Sequence, residues 1–70
     1  MMPLIVAPMG EEMIIKKVGG SPEIKQHLAD LGFAVGGTVT VVNSVAGNLI
    51  VNVKDTRVAI SKEMAQKIMI

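Results

Sequence analysis

The sequence predicts a mostly β domain carrying one short helix, and three observations predict it. Runs of β-branched residues recur between turns that hold glycine or asparagine. A single segment has helical periodicity with a start and a stop signal. The apolar half of the composition is Val, Ile, Leu, Met and Ala, with one Phe and no Trp or Tyr. Seventy residues hold one domain, 1–70, because independent domains usually need at least about 50 residues.

Pro3, Pro8 and Gly10 bracket Leu4-Ile5-Val6, which suits a short extended arm that lies on the domain and then turns. This stretch has no basic leader, and its apolar run is shorter than a signal-peptide core. No run elsewhere approaches the ~20 apolar residues of a membrane span, so the expectation is a soluble, unprocessed, cytoplasmic protein with no direct membrane insertion. Glu12 to Val18 is a β-branched run ended by Gly19-Gly20, and reads as one strand.

Ser21-Pro22-Glu23 opens a helix: a hydroxyl to cap free amides, a ring that pre-sets φ, and a carboxylate at the positive end of the dipole. Ile24, Leu28 and Leu31 recur at i, i+4 and i+7 and form one apolar stripe. Gly32 supplies the left-handed stop, with Phe33 packing back on the last turn. Val35-Gly36-Gly37 is a turn. Thr38 to Val45 then alternates until Val42 breaks step, which predicts a bulge.

Ala46-Gly47-Asn48 connects to a strand in which Leu49, Val51 and Val53 face inward. Lys54-Asp55-Thr56 is a tight connection, and Arg57 to Ile60 returns with Val58 and Ile60 inward. Ser61 caps a helical turn running through Met64 and Lys67, and Ile68-Met69-Ile70 reads as a closing strand. A chain this small cannot stack two large sheets, and closing one sheet on itself removes exposed edges, so the predicted architecture is a small five-stranded SH3-like barrel. A ubiquitin-like or ferredoxin-like α+β fold is the alternative.

Composition then excludes several chemistries. With no cysteine there is no disulfide, thiolate metal site or thiol nucleophile, which fits a reducing cytoplasm. A formal charge of +1 and one aromatic residue oppose phosphate tracking and base stacking, so no nucleic-acid partner is expected. Lys16, Lys17 and Lys25 are diluted by Glu11, Glu12 and Glu23. Gly19-Gly20-Ser21 lacks the lysine of a phosphate loop.

His27 is the sole imidazole, with Ser21 and Ser44 in a cap and a strand end, so no nucleophile–base pair emerges and no catalytic residue is assigned. Glu23, His27 and Asp30 fall at i, i+4 and i+7 on one helix face and are weak candidates for an open divalent-metal site; no cofactor is expected beyond that. The six methionines raise copper(I), but read better as flexible packing in an aromatic-poor core. A catalytically empty, strand-rich, nearly neutral domain points to a protein-interaction module.

The segment Leu28-Ala29-Asp30-Leu31-Gly32-Phe33-Ala34-Val35-Gly36-Gly37-Thr38-Val39-Thr40-Val41 resembles the FeoA family of ferrous iron uptake. The likeness lies in a leucine, two residues, leucine-glycine-apolar, one residue, valine-glycine signature followed by a strand, and the element order agrees along nearly the whole chain. Asn48 and Leu49 depart from the proline usual near the hairpin glycine, and Lys54 and Asp55 stand where the family often has glycine.

The resemblance implies an SH3-like barrel that works with FeoB, the membrane ferrous iron permease, as a non-enzymatic accessory docking on FeoB's cytoplasmic region. Arg57, the sole arginine, reads as a solvated hairpin residue rather than a GTPase-activating group. The expected docking surface is an apolar groove between the Gly20 to Phe33 helix and the hairpin at Gly47, with Leu31, Phe33 and Val35 as floor and Lys25 and His27 at the rim; Gly32, Gly36 and Gly47 are structural turns. Rival readings are an SH3-like nucleic-acid-binding module and a metal-responsive sensor domain. Leu4-Ile5-Val6 and Ile68-Met69-Ile70 could also leave an edge for self-association with a second copy.

Overall fold

The computed structural model describes residues 1–70. A 3-10 turn at Leu4–Val6 is followed by β1 (Glu12–Ile14), β2 (Lys17–Val18), α1 (Pro22–Leu31), β3 (Thr38–Val45), β4 (Asn48–Val53), β5 (Thr56–Ser61), the single helical turn α2 (Lys62–Ala65) and β6 (Ile68–Met69). The strands form a four-stranded sheet in the order β1-β3-β4-β5 and a two-stranded sheet of β2 and β6, every pair antiparallel. The architecture is the small SH3-like one, but with six strands in two sheets rather than five in a closed barrel.

The difference begins at Ile15. The expected strand over Glu12 to Val18 is split there: the Ile15 amide donates to the Gly37 carbonyl at 2.8 Å, whereas the next amide, Lys16, donates to Met69 at 2.8 Å. The chain thus changes partner between two consecutive residues and carries the backbone from one sheet to the other. Ile15 is fully buried at this corner, so the bend is held by core packing as well as by hydrogen bonds.

The arm is a 3-10 turn rather than extended. Pro3 and Leu4 carbonyls accept from Val6 and Ala7, which tightens the backbone enough to drive Leu4 fully into the core. Met2 and Ile70 exchange a pair of main-chain hydrogen bonds at 3.0 and 2.8 Å, and Pro3 bridges Met69. Of the two segments expected to offer an edge to a second copy, Leu4–Val6 is thus a turn rather than a strand, and Ile68-Met69-Ile70 is taken up by β2 and by Met2 and Pro3.

α1 starts where Ser21 Oγ accepts from the Ile24 amide at 3.3 Å. It ends in a Schellman arrangement, with Gly32 at φ 109°, its amide on the Ala29 carbonyl and the Phe33 amide on Leu28. The β3–β4 pairing slips between Val41 and Asn43, which is the bulge at Val42. Both hairpins have two-residue loops with positive φ at each position: Ala46 and Gly47 at 43° and 88°, Lys54 and Asp55 at 49° and 60°. That is the type I′ geometry whose twist matches the flanking strands. Asn48 belongs to β4, so the connection narrows to Ala46 and Gly47, which take the two left-handed positions.

The interior is one cluster of 13 apolar side chains, drawn from the arm, the Ile15 corner, α1, β3, β4, β5, α2 and the C-terminal strand, with no buried polar side chain. Val39, Val41, Leu49, Val51, Val53 and Ile60 supply the sheet's inner face. No helix is long and apolar enough to cross a membrane.

Candidate functional site

The residues expected to form a docking groove separate in space. Phe33 follows the glycine that ends α1, and the Schellman geometry turns its ring inward: it is 1% exposed and sits in the core, where it offers a partner no contact surface. Leu31 is half-buried against the same core, Val35 stands 67% exposed on the following turn, and Lys25 and His27 lie on the solvent side of α1.

No groove joins α1 to the Gly47 hairpin. The C-terminal end of α1 lies by the other hairpin, where a Cβ on Gly32 would be 3.5 Å from the Lys54 side chain. Gly47 instead gives its carbonyl to the Lys62 amide at the start of α2. The two turns sit at opposite ends of six-residue β4, a span of roughly 20 Å at ~3.3 Å per residue. Gly32, Gly36 and Gly47 all have positive φ, at 109°, 90° and 88°.

Glu23, His27 and Asp30 share a helix face without converging on a common point, and no group of three such side chains in the structure is placed to hold a metal ion. Glu23 and Asp30 are separated by seven residues, about 10 Å along the axis at ~1.5 Å each. Asp30 is also occupied locally, accepting a 2.9 Å hydrogen bond from Gln26 Nε2 one turn earlier.

Two surface concavities remain. One is a polar depression of about 180 Å³ on the outer face of the four-stranded sheet, lined by Glu12, Thr38, Thr40, Asn52, Lys54 and Asp55. The pairing register puts Glu12, Thr40, Asn52 and Arg57 in one row across all four strands, since directly opposed residues share a face. Arg57 is thus a strand residue at the end of this row, not a turn residue. The row mixes both charge signs with neutral groups, and presents a solvated sheet face.

The other concavity is apolar and larger, about 510 Å³, and runs beside β1 between Met1, Met2, Met13, Ile14 and Ile70, with Glu12 and Lys16 as its charged rim. Ile14 is 57% exposed and Met1 81%, while Met2 and Met13 are half-buried against the core. Three thioether side chains make the lining flexible and polarizable, the property that suits methionine to binding surfaces.

None of these five residues follows from a motif, but one signal pointed to Ile14. Met13, Ile14 and Ile15 are consecutive apolar residues in a strand of period two, so they cannot all face one core. Ile14 is the one left outside.

Comparison with known proteins gives a consistent result. Residues 2–70 match the family model described as the FeoA domain. The whole chain is 34% identical over 70 residues to a Methanocaldococcus jannaschii protein described as "Putative Fe(2+) transport protein A", covering 85% of that relative. A crystal structure of an iron uptake regulatory protein, FeoA, is 31% identical and superimposes with a TM-score of 0.88 over 97% of this chain and 90% of its own. The zinc complex of a Stenotrophomonas maltophilia FeoA, described as a prokaryotic SH3 domain protein, is 25% identical with a TM-score of 0.84, over 99% of this chain and 88% of its own.

Proposed function

This chain belongs to the FeoA family, and from that membership we propose that it is a non-enzymatic accessory protein of ferrous iron transport that docks on the cytoplasmic region of the FeoB transporter. The observation that carries the reading is the match of residues 2–70 to the family model, supported by a relative, matched over the whole of this chain, that is described as "Putative Fe(2+) transport protein A". The surface supports a binding role: the larger of its two concavities is an apolar one.

Docking uses the groove beside β1. Removing Ile14 and Met1 from water against a partner gains roughly 25 cal/mol per Å² of apolar surface covered, and the rim of Glu12 and Lys16 gives a sign-specific contact at each end. Lys25, His27 and Val35 lie outside that groove, so Lys25→Ala, His27→Ala and Val35→Lys leave docking in place. The test is co-purification of the FeoB cytoplasmic region from the same genome with the tagged protein, with ferrous iron and guanine nucleotide each present and absent. Retention that is lost in Ile14→Lys supports the reading; no retention in any of the four conditions refutes it.

A further inference from the structure

The groove runs along a strand edge whose main chain is unsatisfied. In an antiparallel pair alternate residues direct their N–H and C=O groups to opposite sides. Ile15 exchanges hydrogen bonds with Gly36 and Gly37 on the β3 side, both 2.8 Å; with Met13 opposite Val39 in the same register, Met13 faces β3 as well. Glu12, Ile14 and Lys16 therefore face the other way. On that side the Lys16 amide is taken by the Met69 carbonyl, whereas the main-chain groups of Glu12 and Ile14 have no protein partner. β6 occupies the edge at Lys16, and the edge lies open from there back through β1.

We propose that this open edge is a strand-acceptor site: an extended segment of a protein partner lies antiparallel along β1, exchanges hydrogen bonds with the main chain of Glu12 and Ile14, and sets its apolar side chains into the Met1–Met2–Met13–Ile70 groove. Main-chain pairing supplies affinity and the groove supplies selectivity, as in other strand-addition sites. The proposal deepens the docking reading in that the donor is a segment of the docked protein.

The surroundings define the donor's chemistry. The residue opposite Ile14 and the one opposite Met13 are apolar, and the one opposite Glu12 is basic. The outer edge of β5 is unpaired too, but no apolar groove lies beside it. A second copy is a poor donor: paired about Met13, each Glu12 carboxylate stands opposite the other copy's Ile14, and paired about Ile14, each Glu12 would have to lie where β6 already holds Lys16.

The probe is the synthetic peptide acetyl-Thr-Val-Leu-Lys-Thr-amide, titrated into the full chain and followed by amide NMR shifts and hydrogen exchange. The expected result is slowed exchange of the Glu12 and Ile14 amides, with about tenfold weaker binding in Ile14→Pro. Proline there removes an outward-facing donor and also replaces the groove-lining side chain with a ring, while the donors that face β3 are kept. Ile14→Lys keeps the donor and puts a charge in the groove; it also weakens binding, and decides the matter if Ile14→Pro does not fold. Replacing the peptide's lysine with glutamate lowers affinity through repulsion by Glu12.

No peptide-induced change at Glu12 and Ile14, or wild-type affinity in folded Ile14→Pro and Ile14→Lys, overturns the proposal. So does protection of those amides that rises with protein concentration alone, which would put a second copy on the edge. Peptide binding with no FeoB retention upholds the acceptor site and removes FeoB as its donor. FeoB retention with both amides still exchanging freely upholds docking and overturns the strand mode.

Discussion

Ala46→Asn is expected to stabilise the protein, and the gain follows from backbone geometry alone. Ala46 holds φ at 43° in the first position of a two-residue hairpin loop, with Gly47 at 88° in the second. A left-handed conformation costs an L-residue with a Cβ roughly 1–2 kcal/mol, and asparagine lowers that cost because its short amide hydrogen-bonds locally. Asn-Gly is moreover the preferred pair for this turn type.

Recovering about half the penalty gives ~0.5–1 kcal/mol, which for a domain of this size is roughly 2–8 °C in Tm. Ala46 is exposed, so the larger side chain meets no packing constraint. Thermal and urea unfolding of wild type, Ala46→Asn and Ala46→Val measure the effect. The β-branched valine should destabilise by at least ~1 kcal/mol, because it is poorly tolerated at positive φ. An asparagine variant no more stable than wild type, or a neutral valine variant, would show that the loop does not hold Ala46 left-handed.

Other substitutions separate packing from surface. Phe33→Ala removes a ring that is fully enclosed and should lower stability by about 3–5 kcal/mol, read as a fall in the urea midpoint; an unchanged midpoint would place the ring outside the core. Gly32→Ala puts a Cβ at φ 109° with only ordinary contacts to Lys54 and Val53, so its cost of roughly 1–2 kcal/mol is conformational, and equilibrium unfolding at unchanged m-value checks it. His27→Ala should leave the affinity for divalent cations unchanged in a calorimetric titration, because Glu23, His27 and Asp30 do not gather around one point.

How much of this was legible in the sequence depends on whether the signal was local. α1 was readable to its ends because Ser21, Pro22 and Gly32 act within one turn of the positions they control. The Val42 bulge was readable because an apolar residue out of step leaves no other regular solution. The break at Ile15–Lys16 was not, since both halves of Glu12 to Val18 have the same β-branched character and the choice of partner is made by Gly37 and Met69, more than 20 residues away.

The position of the groove was not legible for the same reason. Placing a groove between α1 and Gly47 required knowing which β4 end each approaches, and that depends on the Gly47–Lys62 hydrogen bond. Phe33 carries conflicting information: a large apolar residue just after a helix-ending glycine suits a docking floor or a Schellman contact, and only its 1% exposure distinguishes them. Ile14 had a signal in the three consecutive apolar residues, but the groove beside it is built from both chain ends, which sequence proximity cannot bring together.

Calorimetric titration of the purified protein against the FeoB cytoplasmic region, with wild type, Ile14→Lys and Val35→Lys side by side, tests the central claim most directly. The account predicts saturable binding by wild type and Val35→Lys, with a negative heat-capacity change from apolar burial, and binding at least about tenfold weaker in folded Ile14→Lys. Absence of heat in all three proteins, or equal affinity in all three, would contradict it.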